Sequence, residues 1–228
     1  MREIVLDTET TGFEPESGDR IVEIGAVELI NHVATGVVYH QYVDPQRDMP
    51  DGAFQVHGLS REFLSDFPPF AEVGRAFLDF VGDDPLVIHN APFDMKFLSA
   101  ELEWMGLPRV APDRAIDTLA MARSKFPGAP VSLDALCRRY GIDNSARTKH
   151  GALLDSEILA EVYLELIGGR QPEMLLGRAE AAGVDGGPWR PGRRPAPLAP
   201  RVTEAEAAAH AAFVEGLGDG ALWRRWGA

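Results

Sequence analysis

At 228 residues, with 45% hydrophobic and 25% charged side chains, the chain can bury one full core and carry an appendage, and its composition is neither disordered nor fibrous. A formal charge of −13 argues against a protein that grips nucleic acid through a broad basic surface, and the single cysteine, Cys137, excludes an internal disulfide or a cysteine-built zinc cluster and fits the reducing cytoplasm. The strand-like start Ile4-Val5-Leu6 leaves no room for a signal peptide, and every apolar run breaks well before the roughly 20 residues that a membrane span needs.

In chain order, residues 2–7, 21–30 and 37–43 read as three strands, rich in β-branched residues and closely connected, so the sheet is expected to open antiparallel. Phe70, Val73, Phe77, Phe80 and Val81 fall at helical spacing. Leu86-Val87-Ile88 then reads as a short buried strand and residues 93–105 as a second helix. Further helices are predicted over 118–125, 132–140 with Ser132 as N-cap, and 152–167. The pattern is that of an α/β fold, a mixed sheet with flanking helices. Gly168-Gly169 closes the last helix, which places a domain boundary near 170. Residues 171–202 read as a linker, crowded with proline, glycine and arginine from 186 to 201. Residues 203–228 read as a tail: an alanine-rich helix over 203–217, then Leu222-Trp223-Arg224-Arg225-Trp226. That end is either an aromatic anchor for another protein or a helix packing back onto the domain.

Three segments carry chemistry. Asp7 and Glu9 end the first strand, and residues i and i+2 of a strand share a face, so two carboxylates project together where an apolar neighbour is expected. Taken alone, such a pair is a solvated strand end as readily as a metal site. Asp94 lies in the first turn of a helix after His89-Asn90-Ala91-Pro92-Phe93, where an acid also suits the helix dipole. His150 precedes Asp155 by just over one helical turn at the start of the last long helix, so that a base for near-neutral pH and a carboxylate can face one place.

In combination and in this order, Asp-x-Glu-Thr-Thr-Gly, Asn-x-x-x-Asp and His-x-x-x-x-Asp resemble the DnaQ-like exonucleases of the DEDDh type. Residues 4–12, Ile24-Gly25-Ala26-Val27-Glu28, Val56-His57-Gly58-Leu59 and residues 132–137 extend that likeness to the proofreading epsilon subunits of bacterial DNA polymerase III, over about residues 2–170. The resemblance implies a ribonuclease-H-like fold and 3′-5′ removal of single nucleotides as 5′-monophosphates. It implies two divalent ions, magnesium or manganese, with Asp7 shared between them, Glu9 and Asp155 completing one site and Asp94 supporting the other, and with His150 taking the proton of the attacking water. Asp7, Glu9, Asp155 and His57 are the expected substrate contacts.

The family often has an acid five residues before that histidine, where this chain has Gly52; Asp51 is the nearest substitute. Phe54 reads either as a base-stacking or as a core residue. Gln171, Met174, Leu175 and Leu176 resemble the peptide that binds the β sliding clamp, and Leu222 and Trp223 resemble the end that docks on the polymerase α subunit. Two such contacts on one chain would reinforce each other and hold an acidic nuclease at DNA. An RNA-trimming enzyme of the same fold and a non-catalytic scaffold are the competing expectations; anchors in the tail disfavour the first, and five costly polar groups at one place disfavour the second.

Overall fold

The alternation in the first strand dictates a layer on each side of it. In β1 (Arg2–Thr10), Ile4 and Leu6 belong to one core and Val5 to the other, and all three are fully buried. The computed structural model describes residues 1–147, 149–169 and 202–218. β1 pairs antiparallel with β2 (Ile21–Ile30), which pairs antiparallel with β3 (Val33–Tyr42). Asn31 and His32 join the latter two with φ of 50° and 66°, the doubly left-handed form that two-residue hairpins favour.

After two short helices, α1 (Asp51–His57) and α2 (Arg61–Leu64), come α3 (Phe70–Val81), β4 (Leu86–Ile88), α4 (Ala91–Trp104) and β5 (Ala115–Asp117). β4 and β5 add in parallel on the other side of β1, giving the order β3-β2-β1-β4-β5. The mixed five-stranded sheet with flanking helices is the expected fold class.

α3 and α4 cover one face, where Phe70, Phe77 and Phe97 are fully buried, each contributing roughly 1.5–3 kcal/mol. α5 (Thr118–Lys125), α6 (Leu133–Tyr140) and α7 (Ala152–Leu166) cover the other, with Leu136, Leu159 and Val162 against Val5 and Val27. Ser132 caps α6 as expected, accepting from the Ala135 N–H at 3.3 Å.

The structure adds α1, α2 and β5 to the elements expected from sequence, and begins the third strand at Val33 and α4 at Ala91. The earlier start of α4 follows from Pro92, whose fixed φ suits the first turn.

The chain divides into two compact units, Met1–Leu175 and Leu176–Ala228. In the second, α8 (Glu204–Gly216) opens with a capping box between Thr203 and Glu206, and its Phe213 is exposed. No helix among the described residues is long and apolar enough to cross a membrane.

Candidate active site

The site forms where the two helical layers meet the end of β1. Asp7 and Glu9 lie on the face of Val5, towards α7, while Thr8 lies on the opposite face, towards α4. Thr8 uses this position to hold Asp94: its N–H and its hydroxyl both donate to Asp94 Oδ1, at 3.0 and 2.7 Å. Asp94 sits in the first turn of α4, whose entry residue Asn90 is left-handed at φ 73°, a conformation asparagine tolerates better than most residues. The Asn90 N–H donates to Asp117 Oδ1 at 3.1 Å, and that same oxygen caps α5 through the Leu119 N–H at 3.0 Å. One carboxylate therefore fixes the starts of two helices.

Asp155 arrives on the first turn of α7, and a glycine permits the approach. Gly25 pairs with Asp7 across the β1–β2 ladder, and a Cβ there would lie 2.2 Å from the α7 backbone at Ala152 and Leu153. The Ser156 hydroxyl donates to the Gly25 carbonyl at 2.9 Å and pins the helix at this contact. His150 stands just before α7, half-exposed, with its N–H on the Val56 carbonyl at 3.2 Å and its Nδ1 3.3 Å from Asp155 Oδ2. Glu9, His150 and Asp155 each present a ligand atom within 4.8 Å of the other two.

The carboxylates resist one another's charge. Burial, then Asp94, Glu9 and Asp155, holds Asp7 well above the ordinary range. Burial, followed by Asp155, Glu23 and Asp94, pushes Glu9 up to about 8. Burial raises Asp94 to about 7 against the hydrogen bonds of Thr8. At Asp155 burial acts upward too, but His150 and Arg147 outweigh it and hold the group below its usual value. Such a cluster is costly without a cation, and its oxygen donors suit magnesium or manganese better than zinc. The residues present therefore fit the divalent ions that the resemblance implies.

His57 ends α1. Its Nδ1 accepts the Leu59 N–H at 3.0 Å, so in the neutral ring the proton is on Nε2, which is buried without a hydrogen bond among the described residues. Burial, then the charge of Lys149, holds the ring down to about 4 against the Thr10 carbonyl. The result is a neutral ring whose Nε2–H has the Thr10 carbonyl nearby but no well-formed hydrogen bond among the described residues. Asp51 and Gly52 are exposed on the same helix, and Gly52 has open space around it. Phe54 is exposed rather than part of the core, with the Lys149 ammonium 5.1 Å from its ring centre.

Three contributors to the site escape sequence reasoning: Thr8, Glu23 and Arg147. Buried Glu23 pairs with Glu9 across the strands and meets His40 Nε2 at 2.7 Å. Arg147 reaches Asp134, His150 and Asp155 together. Its sequence signal is only a cation three residues before His150, and nothing in the spacing points to Asp134. The expected clamp contacts Gln171, Met174, Leu175 and Leu176, and the polymerase contacts Leu222 and Trp223, lie outside the described residues.

The model of the Exonuclease family matches residues 4–163. The chain is 55% identical over 174 residues to the DNA polymerase III subunit epsilon of Rickettsia felis, covering 75% of this chain and 76% of that protein. To the protein of the same name from Escherichia coli it is 51% identical over 178 residues, covering 74% and 72%. Among solved structures, exonuclease X in complex with 5′-overhanging duplex DNA superposes with a TM-score of 0.58 at 25% identity, covering 72% of this chain and 90% of that one.

Proposed function

Because the chain belongs to the Exonuclease family and, within it, to the DNA polymerase III epsilon subunits, we propose that Asp7, Glu9, Asp94, Asp155 and His150 carry out its hydrolysis of the 3′-terminal phosphodiester. The enzyme is a metal-dependent proofreading 3′-5′ exonuclease. The observation that carries the residue assignment is the convergence of four acids, three of them raised by burial and by neighbouring carboxylates, beside a histidine in contact with the fourth.

Two divalent ions, magnesium or manganese, supply charge neutralisation of the phosphate and a more acidic water when bound. The chain's own groups do the rest. Asp7 and Glu9 from β1, Asp94 from α4 and Asp155 from α7 would hold the ions. His150 takes the proton from the attacking water, and its half-exposed ring has the access this requires. The Nε2–H of His57 donates to the terminal nucleotide, with Phe54 of the same helix and Lys149, from the segment before α7, packed beside it. A nucleoside 5′-monophosphate leaves.

Residues 1–170 form the nuclease domain, 171–202 a linker carrying the clamp-binding residues Gln171, Met174, Leu175 and Leu176, and 203–228 a tail that docks Leu222 and Trp223 on the polymerase α subunit in the cytoplasm. The support is the resemblance of those segments to the same subunit. The test is release of mononucleotides from 3′-labelled single-stranded DNA and matching RNA in magnesium. Asp7→Asn is expected to lose on the order of 10³-fold in rate, the several kcal/mol that the ions contribute to charge stabilisation. Full activity of that variant would remove Asp7 from the site, and preference for RNA would move the substrate to RNA ends.

A further inference from the structure

Arg147 lies between α6 and α7, and its side chain is only 8% exposed. The guanidinium is a planar fork of donors with no acceptor, so every polar atom facing it must accept. Two arms grip Asp155: Nε on Oδ1, and Nη2 on Oδ2 at 2.7 Å. The remaining nitrogen, Nη1, is anchored on Asp134 Oδ1 at 2.8 Å, an oxygen that Asn144 also holds at 2.9 Å. Nη2 also stands 2.8 Å from His150 Nδ1, the same ring atom that lies 3.3 Å from Asp155 Oδ2. One cation thus engages both oxygens of a carboxylate assigned to the metal cradle and the ring assigned as base, and its charge is felt at Asp7 and Glu9 as well.

We infer that Arg147 is the resident counter-ion of the cluster and competes with divalent cations for Asp155, so that loading the site exchanges one cation for another. This rests on the reading of the cluster as a metal site. The bidentate pair neutralises Asp155 while the cradle holds no ion. On loading, Arg147 stays tethered to Asp134 and releases Asp155 and His150 Nδ1. This makes Arg147 a positioning residue, holding Asp155 before loading and kept in reach by Asp134 after it.

The test uses the full chain and manganese as probe. Arg147→Gln is expected to melt lower than wild type without metal, because the acids lose their counter-ion. By calorimetry it is expected to bind manganese about ten-fold more tightly, because a unit positive charge at close range is gone. A residue that merely braced the loop would weaken both. Unchanged or weaker manganese binding by the variant overturns the exchange.

Wild-type protein supplies a second readout should the variant fail to fold. The Arg147 Nε–H resonance, assigned by its loss in Arg147→Lys, is expected to move and to exchange faster with solvent as magnesium is added to saturation. A resonance that stays fixed and protected overturns the inference. If wild type binds no divalent ion, the metal-site reading falls and takes this one with it.

Discussion

Glu9 costs the metal-free fold a proton. Burial and its acidic neighbours raise it from 4.5 to about 8, so between those values the folded chain holds a proton that the unfolded chain has released. The contribution of such a raised acid is fully present below about pH 4.5 and is lost as pH climbs through 8. His57 acts in the opposite sense: held down to about 4 from 6.5, it adds stability as pH rises through that interval and nothing above it. Metal-free protein is therefore expected to lose melting temperature from about pH 6.5 to pH 8, the interval left to the raised acids. Glu9→Gln should flatten this slope and saturating magnesium should abolish it. A melting temperature that rises with pH over this range would refute the account.

At this scale the sequence was legible where spacing has a geometric meaning. The i, i+2 separation of Asp7 and Glu9 fixes a common face whatever the rest of the chain does. Arg147 was illegible because its partners Asp134 and Asp155 become neighbours only when α6 and α7 pack.

Among the elements, α7 depends most on a single atom's absence. Gly25→Ala would place a methyl 2.2 Å from the backbone of Ala152 and Leu153, which must move because backbone cannot swing aside as a side chain can. The variant is expected to lose about 1–3 kcal/mol of stability, the usual cost of overpacking. Its nuclease rate should fall far more than its stability, because Asp155 moves with the helix. Measured at a temperature where the variant remains folded, an unchanged rate would show that α7 is not the element that positions the acid.

The strongly periodic elements were readable from the chain, α3 most clearly, since Phe70, Val73, Phe77 and Val81 all bury. β5 was not, because Ala115-Ile116-Asp117 is three residues long and gains its identity only by pairing with β4. α1 was missed for another reason. Only His57 of its seven residues is buried, so the element has almost no apolar stripe to read.

For the molecule as a whole, the charge of −13 sits on a protein whose substrate is a polyanion. Held by a few contacts at one terminus, the DNA is expected to leave readily unless a partner retains it. A chain ending at residue 169 should keep its rate on short single strands while losing association with the polymerase α subunit in gel filtration, and with it processive digestion. Retained association would place the docking surface within the first unit. A boundary near residue 170 is what the change of composition at Gly168-Gly169 leads one to expect, while the compact units divide between Leu175 and Leu176. What the later residues bind has no such signature, since short peptides with one glutamine or one tryptophan occur widely.

The arrangement of the acids on both sides of the sheet has a bearing on safety in the cell. Asp94 belongs to the α4 layer, Asp155 to the α7 layer, and Thr8 and Asp7 reach them from opposite faces of one strand. A ribosome delivers the chain from its N-terminus, so a growing copy possesses Asp7, Glu9 and Asp94 long before it possesses Asp155. Any form in which either layer is undocked is likewise short of a carboxylate. With the four acids acting as proposed, a copy is expected to be harmless to DNA ends until both layers have docked, and one that opens either layer is expected to disarm itself.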